Sequence, residues 1–283
     1  MINEIVAVTF FTKKTNIYQK NYSERVTKLE QSLQEFNIPL IKYEIRDIWK
    51  ITSHSLFRLN MFYPIGVGGW FWKSSIIIDQ IKKNKSRYIL YVDSDCVIRE
   101  DPRKYIVKSL RNHSIAAFSQ SLSIYDWTSS RCLKLMNLDS NLHYNNMWTA
   151  GILAIKNNNT ALQYMSAWNL NMKDPRKLIN QVTFNSQKNH RFDQSIFSIL
   201  VAKGTIDCKE LSGGFFSLGQ ERTVDSIEKS WIYTGEISNR NDKIIYSRER
   251  NKNRFLYYGN KLLQVAYFLF IWPIHLALSK ELK

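Results

Sequence analysis

Cysteine is scarce in this 283-residue chain, and the three present, Cys96, Cys132 and Cys208, are odd in number and far apart. That spacing builds neither a disulfide framework nor a CxxC pair, and it fits a reducing, cytosolic compartment best. Acidic residues are also few: 24 Asp and Glu stand against 40 Lys and Arg, a net charge of +16. Such a balance points to an anionic partner, whether phosphorylated small molecules, nucleic acid or an anionic membrane surface. Internal repeats and low-complexity tracts are missing. The opening "MINEIVAVTFFTKK" lacks a basic stretch followed by a long apolar one, so no signal peptide is expected. What the chain has in quantity is hydrophobic sequence, 44%, with 13% aromatics, enough for one large folded domain or for one domain plus an appendage.

The first half alternates short strand signals with helical ones. Ile5 to Phe10 reads as a strand. "NYSERVTKLEQSLQEF" places Val26, Leu29, Leu33 and Phe36 at helical spacing, "IPLIKYEI" is a second strand, and "SSIIIDQIKKN" is a helix. It leads into "YILYV", an apolar run of the type that forms a buried strand. This rhythm predicts an α/β fold, a mostly parallel sheet flanked by helices, with ligands beyond the carboxyl ends of the strands. Further on, "SIAAFSQ" and "MWTAGILAIKN" read as strands, and "SSRCLKLMN", "ALQYMSAWNLNM" and "DQSIFSILVAKG" as helices, the last stopped by Gly204. Residues 205–250 follow no clear period.

The buried run ends in "VDSD", and a strand covered on both faces should not finish on two acids unless they hold something. Continued strand geometry would turn Asp93 and Asp95 to one side, and like charges that close call for a cation. A divalent ion, Mn²⁺ or Mg²⁺, takes one or two carboxylates from protein and completes its shell with water and phosphate. With the basic surplus, a metal-bound diphosphate is expected. A solvated strand-end pair is the plain alternative. A metal-dependent phosphohydrolase would also use a strand-end D-x-D, and a non-catalytic polyanion- or membrane-binding module would need neither acid.

Four stretches carry a resemblance to a known family. The apolar strand followed by D-x-D resembles the nucleotide-sugar and metal signature of GT-A glycosyltransferases. "GGWFWKSSIII", residues 68–78, is similar to the G-x-W-x-W-K-P-x-I-I segment of small bacterial and viral sugar transferases of capsule and lipopolysaccharide type, with Ser74 in place of Pro. "YDWTSSRCLKLMN" and "HRFDQSIFSIL" resemble that family's W-T-K-x-D-x-F-x-L-M and H-R-x-D-Q-S-I-L-S-L-L stretches. The resemblance implies a metal-dependent transfer of sugar from a nucleotide-sugar donor to a glycan or glycolipid acceptor, with no nucleic-acid partner. Asp93 and Asp95 would hold the metal, with Asp93 also on the donor side. Lys73 would contact the diphosphate, and Thr9 would lie where the nucleotide base is received. Gln194 would touch the donor sugar, and Gly151, with Thr149 and Ala150, would bring backbone close to it. Trp70 and Trp72 would shape the donor pocket or belong to the core. Asp193 would be either a general base on the acceptor hydroxyl or a helix N-cap, and His190 either a phosphate or metal contact or a structural histidine.

The tail differs from the rest. Residues 1–245 read as the GT-A domain and 246–283 as a basic, apolar appendage. Arg248, Arg250, Lys252 and Arg254 precede "LLQVAYFLFIWPIHLAL", residues 262–278. That run is at the short limit for spanning a bilayer. Gln264 and His275 are about three helical turns apart and share a thin polar stripe. Attachment at an anionic membrane surface is expected, with the protein peripheral on the cytoplasmic face; packing on the core or a second subunit is the alternative.

Overall fold

The structure is a computed structural model; it describes residues 4–11, 22–52, 60–63, 66–179, 190–216, 230–234, 238–240, 243–245, 262–274 and 277. Its centre is a six-stranded sheet of β1 (Ile5–Phe10), β2 (Leu40–Tyr43), β3 (Tyr88–Val92), β5 (Ile115–Ser123), β6 (Asn146–Lys156) and β7 (Cys208–Glu210), in the order β2-β1-β3-β6-β5-β7. β1 pairs in parallel with β2 and β3, β7 pairs in parallel with β5, and β6 runs antiparallel between β3 and β5. The expected mostly parallel sheet is therefore present, interrupted by one reversed strand.

Both faces of the sheet are covered, and period two divides the side chains between them. Val6, Val8 and Phe10 of β1, with Ile89 and Tyr91 of β3, enter one core. Ile5 and Ala7, with Tyr88, Leu90 and Val92, enter the other. The helices are α1 (Tyr22–Gln34), α2 (Ile45–Ile51), α3 (Trp72–Lys83), α4 (Arg103–Ser109), α5 (Ser130–Leu135), α6 (Asn159–Met172), α7 (Pro175–Leu178) and α8 (Phe192–Ala202). Leu29 and Leu33 of α1 and Ile106 of α4 pack into the second core. Ile76 and Ile77 of α3, Trp168 of α6 and Phe197 of α8 fill the first.

Two features depart from the sequence reading. α2 is a separate helix whose start is fixed by a capping box between Glu44 and Asp47. Within 205–250, β4 (Cys96–Ile98) gathers β8 (Gly214–Phe216) and β9 (Ser230–Thr234) into a small second sheet, ordered β4-β9-β8. The basic residues Arg248, Arg250, Lys252 and Arg254, the start of the tail at 246, and His275 lie outside the described residues. Residues 262–274 are helical, with a π-helical stretch at Tyr267–Ile271. Among the described residues no helix is long and apolar enough to cross a membrane.

Candidate functional site

Asp93 follows β3 directly, and its N–H donates to the Gly151 carbonyl of β6 at 2.8 Å, the last rung of that ladder. Its carboxylate is held from below. The Tyr91 hydroxyl, on the same strand face two residues earlier, donates to Oδ1 at 2.7 Å. Lys73 Nζ, from the first turn of α3, lies 3.1 Å from Oδ1 and 3.2 Å from Oδ2. The same ammonium is 3.0 Å from Asp193 Oδ2 and 3.4 Å from the Ala150 carbonyl. Lys73 thus bridges two acids far apart in sequence, one just past β3 and the other in α8. Its side chain is only 4% exposed, and that of Asp193 only 7%.

The electrostatics follow from this burial. Desolvation opposes charge on Lys73, but Asp193 and Asp93 outweigh it and hold its pKa above the ordinary lysine value. Desolvation pushes Asp193 up to about 6, assisted by Asp93 and opposed by Lys73. Asp193 Oδ2 is close to the ammonium but makes no aligned hydrogen bond in this structure. A buried carboxylate so placed favours an added proton or donor.

Left-handed backbone places both arms of the bridge. Gly66, Val67, Gly68, Gly69 and Trp70 all have positive φ, and Trp72 then opens α3. At Gly68 a Cβ would lie 2.6 Å from the Asn60 carbonyl oxygen, so the doubled glycine of the motif meets a backbone constraint. Phe192, immediately before Asp193, has φ 44°. The Trp70 and Phe192 rings touch, with centroids 5.3 Å apart. For residues of this size such backbone is strained by roughly 1–3 kcal/mol each, and it persists where surrounding packing enforces it.

Asp95 arrives differently from the expectation. The strand ends at Val92, and residues 94–95 form a turn closed by the Cys96 N–H donating to the Asp93 carbonyl at 3.0 Å. Strand alternation therefore does not set its direction. Its pKa is raised by burial and then by the Asp93 charge, while Arg25 of α1 and Lys73 lower it. Two oxygen ligands whose repulsion a cation would relieve suit a hard divalent ion that draws its remaining ligands from water and phosphate. Among the described residues no group of three or more His, Cys, Asp or Glu is gathered to hold a metal.

The remaining candidates divide between surface and interior. Gln194 Nε2 donates to Gln120 Oε1 at 2.6 Å, which ties α8 to β5. The space over Gly151 is filled by protein: a Cβ there would lie 2.5 Å from Asp93 Oδ2. Its missing side chain makes room for the carboxylate. Thr149 Oγ1 accepts the Phe118 N–H at 3.2 Å, at the irregularity between β5 and β6. Trp72 is buried, its ring 4.0 Å from that of Phe10 and its Nε1 donating to the Gly66 carbonyl. Thr9 is fully buried, with its hydroxyl unpaired. His190 is structural: Nδ1 accepts the Ser129 N–H, Nε2 donates to the Leu178 carbonyl, and burial lowers its pKa to about 4. Sequence reasoning missed Tyr91 and Gln120. Tyr91 was findable, because residues two apart on a strand share a face.

Neither protein-family models nor a search of curated proteins returns a match to this sequence. Solved structures do. Mouse xyloside xylosyltransferase 1, in its apo form, aligns over 85% of this chain and 99% of its own, with a TM-score of 0.50 and 12% identity. A glycosyltransferase involved in glycosylation of the major capsid of PBCV-1 aligns over 81% of this chain and 92% of its own, at 0.47 and 12%. The galactosyltransferase LgtC, solved with donor and acceptor sugar analogs, aligns over 92% and 96%, at 0.44 and 10%. Together with the sheet order and the flanking helices, the similarity to the xylosyltransferase identifies the architecture of this chain as the GT-A fold.

Proposed function

We propose that the chain is a nucleotide-sugar-dependent glycosyltransferase acting on a glycan acceptor. The observation that carries this reading is the buried ammonium of Lys73 joining Asp93 and Asp193 at the carboxyl edge of the sheet. A buried ion pair adds little net stability, perturbed groups cluster at functional sites, and ligands of open α/β sheets bind beyond the carboxyl ends of the strands.

Asp93 and Asp95 are the residues that would hold Mn²⁺ or Mg²⁺ at the donor site. When bound, the ion offsets charge developing on the departing nucleoside diphosphate. Lys73 orients Asp93 through its contacts to both carboxylate oxygens, and it supplies positive potential beneath the phosphates. Gln194, restrained by Gln120, faces the sugar. Thr9 and Trp72 support the donor surface from behind, and Gly151 leaves the room that Asp93 occupies. Asp193 accepts the acceptor's hydroxyl proton if the anomeric configuration inverts, and its pKa of about 6 suits a base working near neutrality. The acceptor is read as lipid-linked and reached from the cytoplasmic face.

The test is turnover of a nucleotide-sugar panel with and without Mn²⁺. Metal-dependent release of nucleoside diphosphate by the wild type, and its loss in Asp95→Asn with the fold intact, are expected. Full activity of Asp95→Asn would refute the metal role, and cleavage of simple phosphomonoesters in its place would favour a phosphohydrolase.

A further inference from the structure

The C-terminal helix carries large apolar side chains on its outward face as well as on its inward one. Along residues 262–274, Gln264, Tyr267 and Trp272 are buried, whereas Leu262, Leu263, Leu269, Phe270 and Ile274 are each 51–70% exposed. A surface helix ordinarily turns its apolar stripe to the core and its polar residues to water. Here the domain takes Gln264 together with Tyr267 and Trp272, yet five further large apolar side chains are left outside. The polar stripe expected to face the headgroups is, at Gln264, turned inward. Single exposed leucines need no explanation, but five large apolar residues within 13 positions form a patch that marks a partner.

The surroundings select the partner. The Arg131 guanidinium lies 5.7 Å over the Trp272 ring, at the border of the helix. Lys134, three residues further along α5, is exposed like Arg131. A two-fold dimer through this face would bring identical cationic rims together on chains that each carry +16. An anionic bilayer meets both features at once, taking apolar side chains below its headgroups and cations at its phosphates.

We propose that the outward face of helix 262–274 seats the protein on an anionic bilayer, with Arg131 and Lys134 against the lipid phosphates. The seat is joined to the candidate site by packed rings. Tyr267 and Phe268 meet Tyr63 edge-on at 5.3 and 6.4 Å, and Tyr63 lies 6.1 Å from Phe192, the residue before Asp193. A lipid-borne acceptor would thereby be delivered beside Asp193; that consequence, unlike the seat itself, rests on the transferase reading.

Flotation of the full chain with phosphatidylcholine vesicles, with and without phosphatidylglycerol, tests the seat. The wild type should float with phosphatidylglycerol vesicles. The double variant Leu269→Gln/Phe270→Gln should lose at least about tenfold in partition at an unchanged melting temperature, because both side chains point away from the domain. Arg131→Gln/Lys134→Gln should lose roughly 25-fold on anionic vesicles and nothing on neutral ones. A wild type that ignores phosphatidylglycerol, a Leu269→Gln/Phe270→Gln variant that floats like wild type, or a dimer that this variant dissolves would each overturn the proposal. Nucleotide-sugar turnover assayed without vesicles reads the other claim separately. Flotation without any turnover would sink the transferase reading and leave the seat standing.

Discussion

The Lys73 bridge and the C-terminal helix invert the usual partition of residues in opposite senses. Around Lys73, charge lies inside: an ammonium and the Asp193 carboxylate are almost entirely enclosed, next to the fully buried Tyr91. On helix 262–274, five large apolar side chains lie outside while Gln264 lies in beside Tyr267 and Trp272. Both arrangements cost free energy in the isolated chain, one by desolvating ions and the other by hydrating hydrocarbon. The first cost is offset within the molecule by pairing, so it specifies a site. Nothing within the described residues offsets the second, so it specifies a surface.

The largest effect is expected at Lys73. Lys73→Met leaves two acids beside a buried apolar group, and the loss of one partner of such a pair costs about 3–5 kcal/mol. Chemical denaturation should report a loss of that order, and nucleotide-sugar turnover should disappear. A variant as stable as wild type would mean that the bridge is weak. Next in size is Gly151→Ala, whose new methyl would collide with Asp93 Oδ2. Overpacking of this kind costs about 1–3 kcal/mol, and the displaced Asp93 should weaken metal-dependent donor binding beyond that loss of stability. Denaturation and Mn²⁺ titration of the same variant separate the two effects.

The burial of Asp193 should make stability depend on pH. Asp193 has a pKa raised from 3.8 to about 6, so the native state binds its proton more tightly than the unfolded chain does. The stability this contributes is complete below about pH 4 and is lost as pH rises through about 6. Wild type should therefore lose stability relative to Asp193→Asn across that window, and any general-base activity should rise through it. Melting curves of both proteins from pH 4 to pH 7 check the first point; parallel profiles would show that Asp193 is not protonated natively. The smallest effect belongs to the helix. Leu269→Gln removes a side chain that touches water and should change stability by no more than about 0.5 kcal/mol. A large loss in melting experiments would mean that Leu269 is packed.

Much of this arrangement was legible in the sequence, for identifiable reasons. β1 and β3 stood out because strands buried on both faces leave unbroken apolar runs. Lys73, Asp93 and Asp193 were each singled out by their motifs, but nothing local to any of them indicates that one ammonium serves both acids. That contact joins α3, β3 and α8 and depends on the left-handed residues Trp70 and Phe192. Gly151 was recognised as a point of close approach, while the group approaching it turned out to be Asp93. The strands β7, β8 and β9 are three to five residues long, too short for periodicity to show. For the tail, periodicity indicated which residues share a face and gave no direction for that face; packing against Tyr63 decided it.

The central proposal is that Asp95 and Asp93, the latter steadied by Lys73, would hold a divalent cation for a nucleoside diphosphate. Thermal shift of wild type and Asp95→Asn with UDP or GDP, each with and without Mn²⁺, tests it most directly, because a ligand bound only by the native state raises its melting temperature. The account predicts a rise in wild type that requires Mn²⁺ and nucleotide together and that Asp95→Asn lacks, although its unliganded melting temperature is preserved. An equal rise in both proteins, or one indifferent to Mn²⁺, would contradict it.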